Sequence, residues 1–356
     1  MNIIHTADLH LSEKAVERWE ALEHIIKSAS DQCASLLLIC GDLFDQNVDA
    51  EKLRPKLREM LGLADLRTVI LPGNHDYKAY RDGLYFGDKV TVISDSSEPL
   101  RLDNFVIWGL PYEKIGGERL VGRLREIGSR MDPNDFNILL YHGELLDAFF
   151  SRREMGNEGD QRYMPVRLSY FQSLPLKYVF AGHFHSRYAG WPLPGGGKFI
   201  YSGSPVAVTR RELGQRAVNL FKWGDEPVEL LLESFHYEEL AIELDPFGSE
   251  NPLKIIEERL KKAHHAAGVI LTVRGLFNGA ALNLSESDIA RGIRELANGR
   301  LAAEPKEEFA DVRLVLEDDL YKKFLLRLGE SDSDPNLKDK AARLAIEAFR
   351  VVKACS

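Results

Sequence analysis

Seven side chains are oxygen or nitrogen donors of the kind that hold metal ions: Asp8, His10, Asp42, Asn74, His142, His183 and His185. No thiolate is among them. Imidazole mixed with carboxylate suits Mn²⁺, Fe or Zn²⁺ better than Ca²⁺ or Mg²⁺. Seven donors are too many for one metal with an open position. They suit two metals about 3.5–4 Å apart that share a carboxylate. The donors fall in five short clusters: Asp8-Leu9-His10, Gly41-Asp42-Leu43-Phe44-Asp45, Gly73-Asn74-His75-Asp76, Tyr141-His142-Gly143-Glu144 and Gly182-His183-Phe184-His185. In extended chain, residues i and i+2 face the same side. The pairs Asp8/His10 and His183/His185 can then each face one site while Leu9 and Phe184 turn away. Gly41, Gly73, Gly143 and Gly182 beside the donors permit tight turns and close backbone approach. One such cluster is weak evidence, because a lone histidine on an apolar strand is ordinarily a packed core or surface residue. Five in series are another matter, since no structural requirement would place them there.

The elements that must position these clusters are legible as apolar runs. Residues 2–6, 36–40, 68–71, 137–141 and 178–181 read as strands, and each cluster follows one of them. Ligands of open α/β sheets gather at the carboxyl ends of strands, so five strand ends can converge on one crevice. Residues 14–34 and 48–61 have helical spacing. Further strands are expected at 105–108, 199–201, 218–222 and 229–235. Near Phe235 the texture changes. A strand at 241–244, a helix at 252–264, a strand at 269–274, a helix at 286–296 and a strand at 312–317 give a β-α-β-α-β order. A polar stretch at 329–335 reads as a linker before a last helix at 337–353. The expected division is a catalytic domain at 1–235, a smaller α+β domain at 236–328, and a linker with a C-terminal helix at 329–356.

The whole chain sets bounds on the reading. Its 356 residues suggest two domains, and 44% hydrophobic content is enough for a sizeable core. No stretch approaches the roughly 20 apolar residues of a membrane helix. The N-terminal residues carry no secretory pattern. Cys33, Cys40 and Cys355 are scattered and odd in number, which suggests a reducing cytosol. These features predict a cytoplasmic protein without a membrane segment. The net charge of −9 counts weakly against nucleic-acid binding. Bound divalent cations would change the local sign at a site.

The ordered series DxH, GDxxD, GNHD, H and GHxH from Asp8 to His185 resembles the signature of the calcineurin-like metallophosphoesterases. The resemblance implies a four-layer α/β/β/α sandwich with two metals at the sheet edge. It implies that Asp8, His10, Asp42 and His185 hold one metal, and that Asp42, Asn74, His142 and His183 hold the other, with Asp42 bridging. His75 is not a ligand in that scheme. It would assist hydroxide attack on phosphorus by protonating the leaving oxygen or stabilising the transition state, with Asp45 orienting it. Protein phosphatases of this kind usually read GDxxDRG and GNHE. Here Gln46-Asn47 follows Asp45, and Asp76 follows His75, so the phosphate-binding arginine is missing.

Ile4-His5-Thr6-Ala7-Asp8-Leu9-His10-Leu11, Gly41-Asp42-Leu43-Phe44-Asp45 and Tyr201-Ser202-Gly203-Ser204-Pro205 are similar to the SbcD-type DNA repair exonucleases. That likeness implies a Mn-dependent exonuclease or endonuclease acting on double- or single-stranded DNA ends. It also implies a capping, DNA-binding second domain, a homodimer, and a tail that binds an SbcC-type coiled-coil ATPase. The last helix carries Ala341, Leu344, Ala345, Ala348, Phe349 and Val352 along one side, which fits a partner or its own domain equally. Arg152-Arg153, Arg162, Arg167 and Arg210-Arg211 are candidate phosphate contacts. Two other readings stand beside the nuclease. One is a small-molecule phosphodiesterase, acting for example on cyclic nucleotides. The other is a DNA-end-binding scaffold with secondary or lost activity.

Overall fold

The computed structural model of the chain describes residues 1–46, 48–80, 84–148 and 162–354. It divides into two compact units, Met1–Tyr237 and Glu238–Ser356. The first unit runs β1 (Asn2–Thr6), α1 (Val16–Asp31), β2 (Ala34–Cys40), α2 (Ala50–Gly62), β3 (Arg67–Leu71), β4 (Val90–Val92), β5 (Leu100–Leu102), β6 (Phe105–Leu110), α3 (Gly117–Gly128), β7 (Phe136–His142), a short 3₁₀ turn (Leu168–Phe171), β8 (Leu176–Gly182), β9 (Ala189–Pro192), β10 (Lys198–Tyr201), β11 (Ala217–Lys222) and β12 (Val228–Leu231).

These strands make two six-stranded sheets, ordered β12-β11-β1-β2-β3-β4 and β5-β6-β7-β8-β10-β9. The stretch from β1 to β4 is parallel, and so is the β6-β7-β8-β10 stretch. Alternation along single strands defines the layers. Ile4, Leu37, Ile39 and Ile70 pack against Trp19, Leu22 and Ile25 of α1 and Leu53 and Leu57 of α2. Their strand neighbours Ile3, Leu36, Leu38, Val69 and Leu71 face Ile107, Ile138, Leu140 and Phe180 of the second sheet. The far side of that sheet, with Val106, Trp108, Leu139 and Val179, is covered by Leu120, Leu124 and Ile127 of α3. The result is the four-layer α/β/β/α sandwich. Strands buried on both faces explain the unbroken apolar runs. Helix α1 is shorter than the 14–34 expected, because Cys33 takes a left-handed φ of 49° and Ala34 already belongs to β2.

The second unit continues with β13 (His236–Leu244), which crosses the boundary, then α4 (Pro252–Lys262), β14 (Ala267–Phe277), α5 (Gly279–Leu282), α6 (Glu286–Ala297), β15 (Lys306–Asp311), α7 (Arg313–Leu316), α8 (Asp319–Glu330) and α9 (Pro335–Ala354). The sheet β13-β14-β15 packs Ile242, Val269, Leu271 and Val273 against Ile256 and Leu260 of α4 and Ile289 and Ile293 of α6. Two expectations need correction here. Residues 312–317 are not the third strand. That strand is β15, an edge strand whose Lys306, Glu307 and Glu308 are exposed. Charged edge strands resist further pairing and escape a hydrophobic pattern. Val312 and Val315 are instead buried three residues apart, around one helical turn. The linker expected at 329–335 is shorter than that, since α8 reaches Glu330 and α9 starts at Pro335.

Helix α9 packs within its own unit. Ile346 is fully buried, and the Phe349 ring lies 5.6 Å from Tyr321. Leu344 and Val352 of the expected stripe face solvent. No helix among the described residues is long and apolar enough to cross a membrane.

Candidate metal centre

Six donors sit on the turns that leave β1, β2, β3 and β8, and His142 is the last residue of β7. The first two turns are laced together, with Asp8 N donating to Gly41 O at 3.0 Å and His10 N donating to Asp42 O at 2.9 Å. Four donor residues hold left-handed backbone: Asp8 (φ 57°), His10 (φ 50°), Asp42 (φ 52°) and His183 (φ 97°). The DxH pair therefore does not reach the site by extended-strand alternation, as the i, i+2 argument expected. Tight turns aim it instead. Non-glycine residues in this region store strain of about 1–3 kcal/mol each and cluster at functional sites. Two glycines make room. A Cβ at Gly41 would stand 1.9 Å from His142 Nδ1, and one at Gly73 would stand 2.1 Å from Asp42 Oδ1.

The structure gathers the seven donors into two adjoining groups. In the first, His10 Nε2 and His185 Nε2 face each other at 3.3 Å, and Asp8 Oδ1 lies 3.6 Å from His185 Nε2. In the second, Asn74 Oδ1 lies 2.9 Å from His142 Nε2 and 3.2 Å from His183 Nδ1. Asp42 Oδ2 lies 3.2 Å from His142 Nε2. Donor atoms of Asp8, His10 and His185 lie within 4.8 Å of one another, as do those of Asp8, Asp42 and His142. Asp8, Asp42 and His142 are completely buried.

The residues fit a cation, and hydrogen-bond logic shows why. His142 Nδ1 lies 2.7 Å from Cys40 O, so in the neutral ring Nδ1 carries the proton and Nε2 a lone pair. That lone pair points at two oxygens. The buried Asp42 Oδ2 accepts no hydrogen bond. The facing nitrogens of His10 and His185 pose the same problem. Convergent lone pairs in a dry site repel unless a positive charge lies between them. A metal supplies it. Without one, a proton does: burial alone would lower the His142 pKa, but the neighbouring Asp42 pushes it up to about 10. Burial raises the Asp8 carboxyl, and the Asp42 charge adds to it. Burial works on Asp42 the same way, yet the surrounding imidazoles, His142 first, hold it well below the usual carboxylate range.

His75 stands beside the donors. Its backbone N donates to Asp42 Oδ1 at 2.8 Å, which ties the turn after β3 to the buried carboxylate of the second group. Its ring meets the His10 ring edge-on at 4.7 Å. Asp45 Oδ1 lies 3.7 Å from both His75 Nδ1 and His10 Nδ1, an electrostatic contact longer than a hydrogen bond. Arg18 Nη1 donates to Asp45 Oδ2 at 2.6 Å. Burial would raise the Asp45 carboxyl, but His10, His75 and Arg18 hold it far below its ordinary value. Asp45 is thus an anion beside His75 across the working pH range.

Three residues at the site were not singled out from sequence. Arg18 of α1 is the first. Asp76 is the second: it accepts from Gly73 N (2.7 Å), Tyr80 OH (2.8 Å) and Phe44 N (3.2 Å), and so pins the turn after β3 to the turn after β2. Burial and the Asp42 charge push it up to about 6. Glu212 is the third, only 1% exposed, with Oε1 3.4 Å from His185 Nδ1. It also accepts from Val208 N, Thr209 N, Thr209 Oγ1 and Ser204 Oγ. Burial would raise its carboxyl, but His185 and the backbone donors bring it down to about 2. A carboxylate behind a metal-binding histidine fixes the ring and its tautomer. Arg216, buried beside it, donates to Ser204 O at 3.0 Å and Ser186 O at 2.8 Å. The only sequence signal for Glu212 is a charge between apolar runs, which is common.

Other candidates behave differently. Arg162 pairs with Glu144 at 2.8 Å, and Arg167, Arg210 and Arg211 are exposed. Arg152, Arg153 and Cys355 lie outside the described residues. His5 is an interior histidine, stacked on Phe180 at 4.9 Å and pushed down to about 3 by burial.

A double-sheet sandwich with two buried carboxylate–imidazole groups at its strand ends defines a two-metal phosphoester hydrolase. The chain belongs to the calcineurin-like phosphoesterases, whose family profile matches residues 1–187. It is therefore a metal-dependent phosphoesterase with a dinuclear divalent-metal site. No protein with a curated description matches the chain. Among solved structures it is similar to a dimetal phosphatase from Danio rerio, at 11% identity and TM-score 0.44 over 65% of this chain and 96% of that one. The protein TT1561 of Thermus thermophilus is similar at 14% identity and TM-score 0.40 over 61% and 92% of the two chains. A phosphopantetheinyl hydrolase from Mycobacterium tuberculosis is similar at 15% identity and TM-score 0.37 over 57% and 90%. Likenesses this distant say nothing about substrate.

Proposed function

We propose that the chain is a Mn²⁺-dependent nuclease that processes DNA ends, of the SbcD type. The observation that carries this reading is a complete donor set with His75 and Asp45 beside it, followed by a second compact unit, Glu238–Ser356. A phosphoesterase for small substrates needs no such unit, whereas an end-processing nuclease uses one as a capping, DNA-binding domain. Bound divalent metals would supply water activation and neutralise charge on the phosphoryl oxygens. The chain's own residues do the rest. Asp8, His10, Asp42 and His185 hold one ion, and Asp42, Asn74, His142 and His183 hold the other. His75, faced by the Asp45 carboxylate, donates to the leaving oxygen. Arg18 fixes Asp45. The exposed Leu337, Leu344 and Val351 of α9 suit a docking role, with an SbcC-type ATPase as the proposed partner. A homodimer and a cytoplasmic setting belong to the same reading.

One observation favours a second reading, a small-molecule phosphodiesterase such as one acting on cyclic nucleotides. The cleft beside His75 carries Asp49 and Glu51, and the chain has a net charge of −9. The test runs a 3′-labelled DNA duplex and bis-p-nitrophenyl phosphate side by side with Mn²⁺, with His75→Ala as control. Cleavage of both, lost in the variant, supports the nuclease. Cleavage of the small diester alone, with or without added ATPase partner, sinks it. Binding of DNA with no cleavage of either would point to the scaffold.

A further inference from the structure

Beyond the metal donors the site opens into a cleft of about 620 Å³ that includes Asn74 and His75. One flank of the cleft is a row of tyrosines. The Tyr163 ring centroid lies 5.0 Å from that of His183 and 6.1 Å from that of Tyr112. Tyr112 lies 5.4 Å from Tyr77. The row begins at a metal-donor imidazole and leads away from it. Tyr112 is buried as its floor, while Tyr77 and Tyr163 are half-buried and keep ring surface toward the cleft. Each is held by its backbone. Tyr77 N donates to Gly73 O at 3.0 Å, Tyr112 N donates to Pro72 O at 3.1 Å, and Tyr163 O accepts from Glu144 N at 2.9 Å. Three rings from three separate loops are thus pre-positioned before any ligand arrives.

Charge decides what lies against them. Asp49 and Glu51 on the cleft wall disfavour a second phosphate, and Lys78 and Lys114 only balance them. The reacting phosphate belongs at the metal donors. What enters the cleft beyond it is flat and uncharged. We propose that the tyrosine row is a nucleobase subsite: the unpaired base of the nucleotide bearing the scissile phosphate stacks on Tyr163 and Tyr77. This rests on the reading above that the substrate is a nucleotide phosphodiester. The base is unpaired because a stacked, paired base has no free face for the rings. The subsite therefore selects frayed or single-stranded ends over closed duplex, and it reads any base, since every base offers a π-face.

The test compares a single-stranded oligonucleotide with the same strand carrying an abasic sugar at the cleaved position. The wild type favours the base-bearing strand roughly tenfold or more in kcat/KM. Tyr163→Leu with Tyr77→Leu brings the preference close to one, and Tyr163→Phe, which keeps the ring, restores it. A preference that survives the double leucine variant, or is absent in the wild type, overturns the proposal. If no DNA is cleaved at all, the nuclease reading falls separately. The subsite is then read by adding 2-aminopurine deoxynucleotide to Mn²⁺-loaded protein. Stacking quenches its fluorescence in the wild type and not in the leucine variant; no quenching in the wild type overturns the subsite.

Discussion

Replacing Glu212 by glutamine keeps the side-chain volume and removes one buried negative charge from behind His185. The carboxylate sits 3.4 Å from His185 Nδ1. Glutamine can still accept from Thr209 N through its oxygen. Its NH₂ group, however, must replace an oxygen that now accepts from Val208 N at 2.9 Å and Ser204 Oγ at 3.2 Å. The His185 ring then keeps only a neutral acceptor where it had a charged one. Loss of such a partner weakens metal binding about 10- to 100-fold, or roughly 1.4–2.7 kcal/mol. The loss should fall on one ion only. His185 groups with Asp8 and His10, while Asn74, His142 and His183 form the other group, which Glu212 does not touch. Calorimetric titration of metal-free protein with Mn²⁺ should therefore show two sites with split affinities in Glu212→Gln. Dialysis at an intermediate Mn²⁺ concentration should leave about one ion per chain by elemental analysis. Equal weakening of both sites, or none, would refute the assigned role of Glu212.

His75→Ala should lower kcat by ~10²–10⁴-fold while leaving metal content unchanged, because its side chain belongs to neither donor group; elemental analysis beside a rate assay checks both halves. Metal loading should release a proton from His142 at pH 7, since its pKa lies near 10 without an ion; calorimetry in buffers of different ionisation enthalpy reads the number released. The sign for stability follows. A histidine raised from 6.5 to about 10 stabilises the metal-free fold fully below pH 6.5, and that contribution fades as pH rises toward about 10, so the metal-free melting temperature should fall over that window. Gly73→Ala should destabilise the fold by about 1–3 kcal/mol and weaken metal binding, because its Cβ would stand 2.1 Å from Asp42 Oδ1; denaturant unfolding and Mn²⁺ titration measure the two effects.

The sandwich and the positions of the donor turns were legible because the chemistry and the burial use the same strands. Leu36 to Cys40 is apolar throughout because both faces are covered, and that run points directly at Asp42. Elements at the margins left fainter marks. Strand β15 is charged because it is an edge, and the short β4, β5 and β9 carry too few residues to show a period. The left-handed backbone at Asp8 and His10 could not be read either, since aspartate and histidine occupy both extended and left-handed states. Arg18 and Glu212 escaped notice because each acts through contacts with residues distant in sequence, 27 positions away in both cases. Only the fold brings those pairs together.

The left-handed turns have a consequence for how the ions come and go. Asp8, His10, Asp42 and His183 are at most 4% exposed; backbone hydrogen bonds lace the first three, and His183 N donates to Asp8 Oδ2 at 2.9 Å. Little apolar surface is left to bury on loading, so the heat-capacity change of metal binding should be small, unlike that of a domain that folds around its ion. The ion that occupies the site is set by supply in its surroundings as much as by the protein.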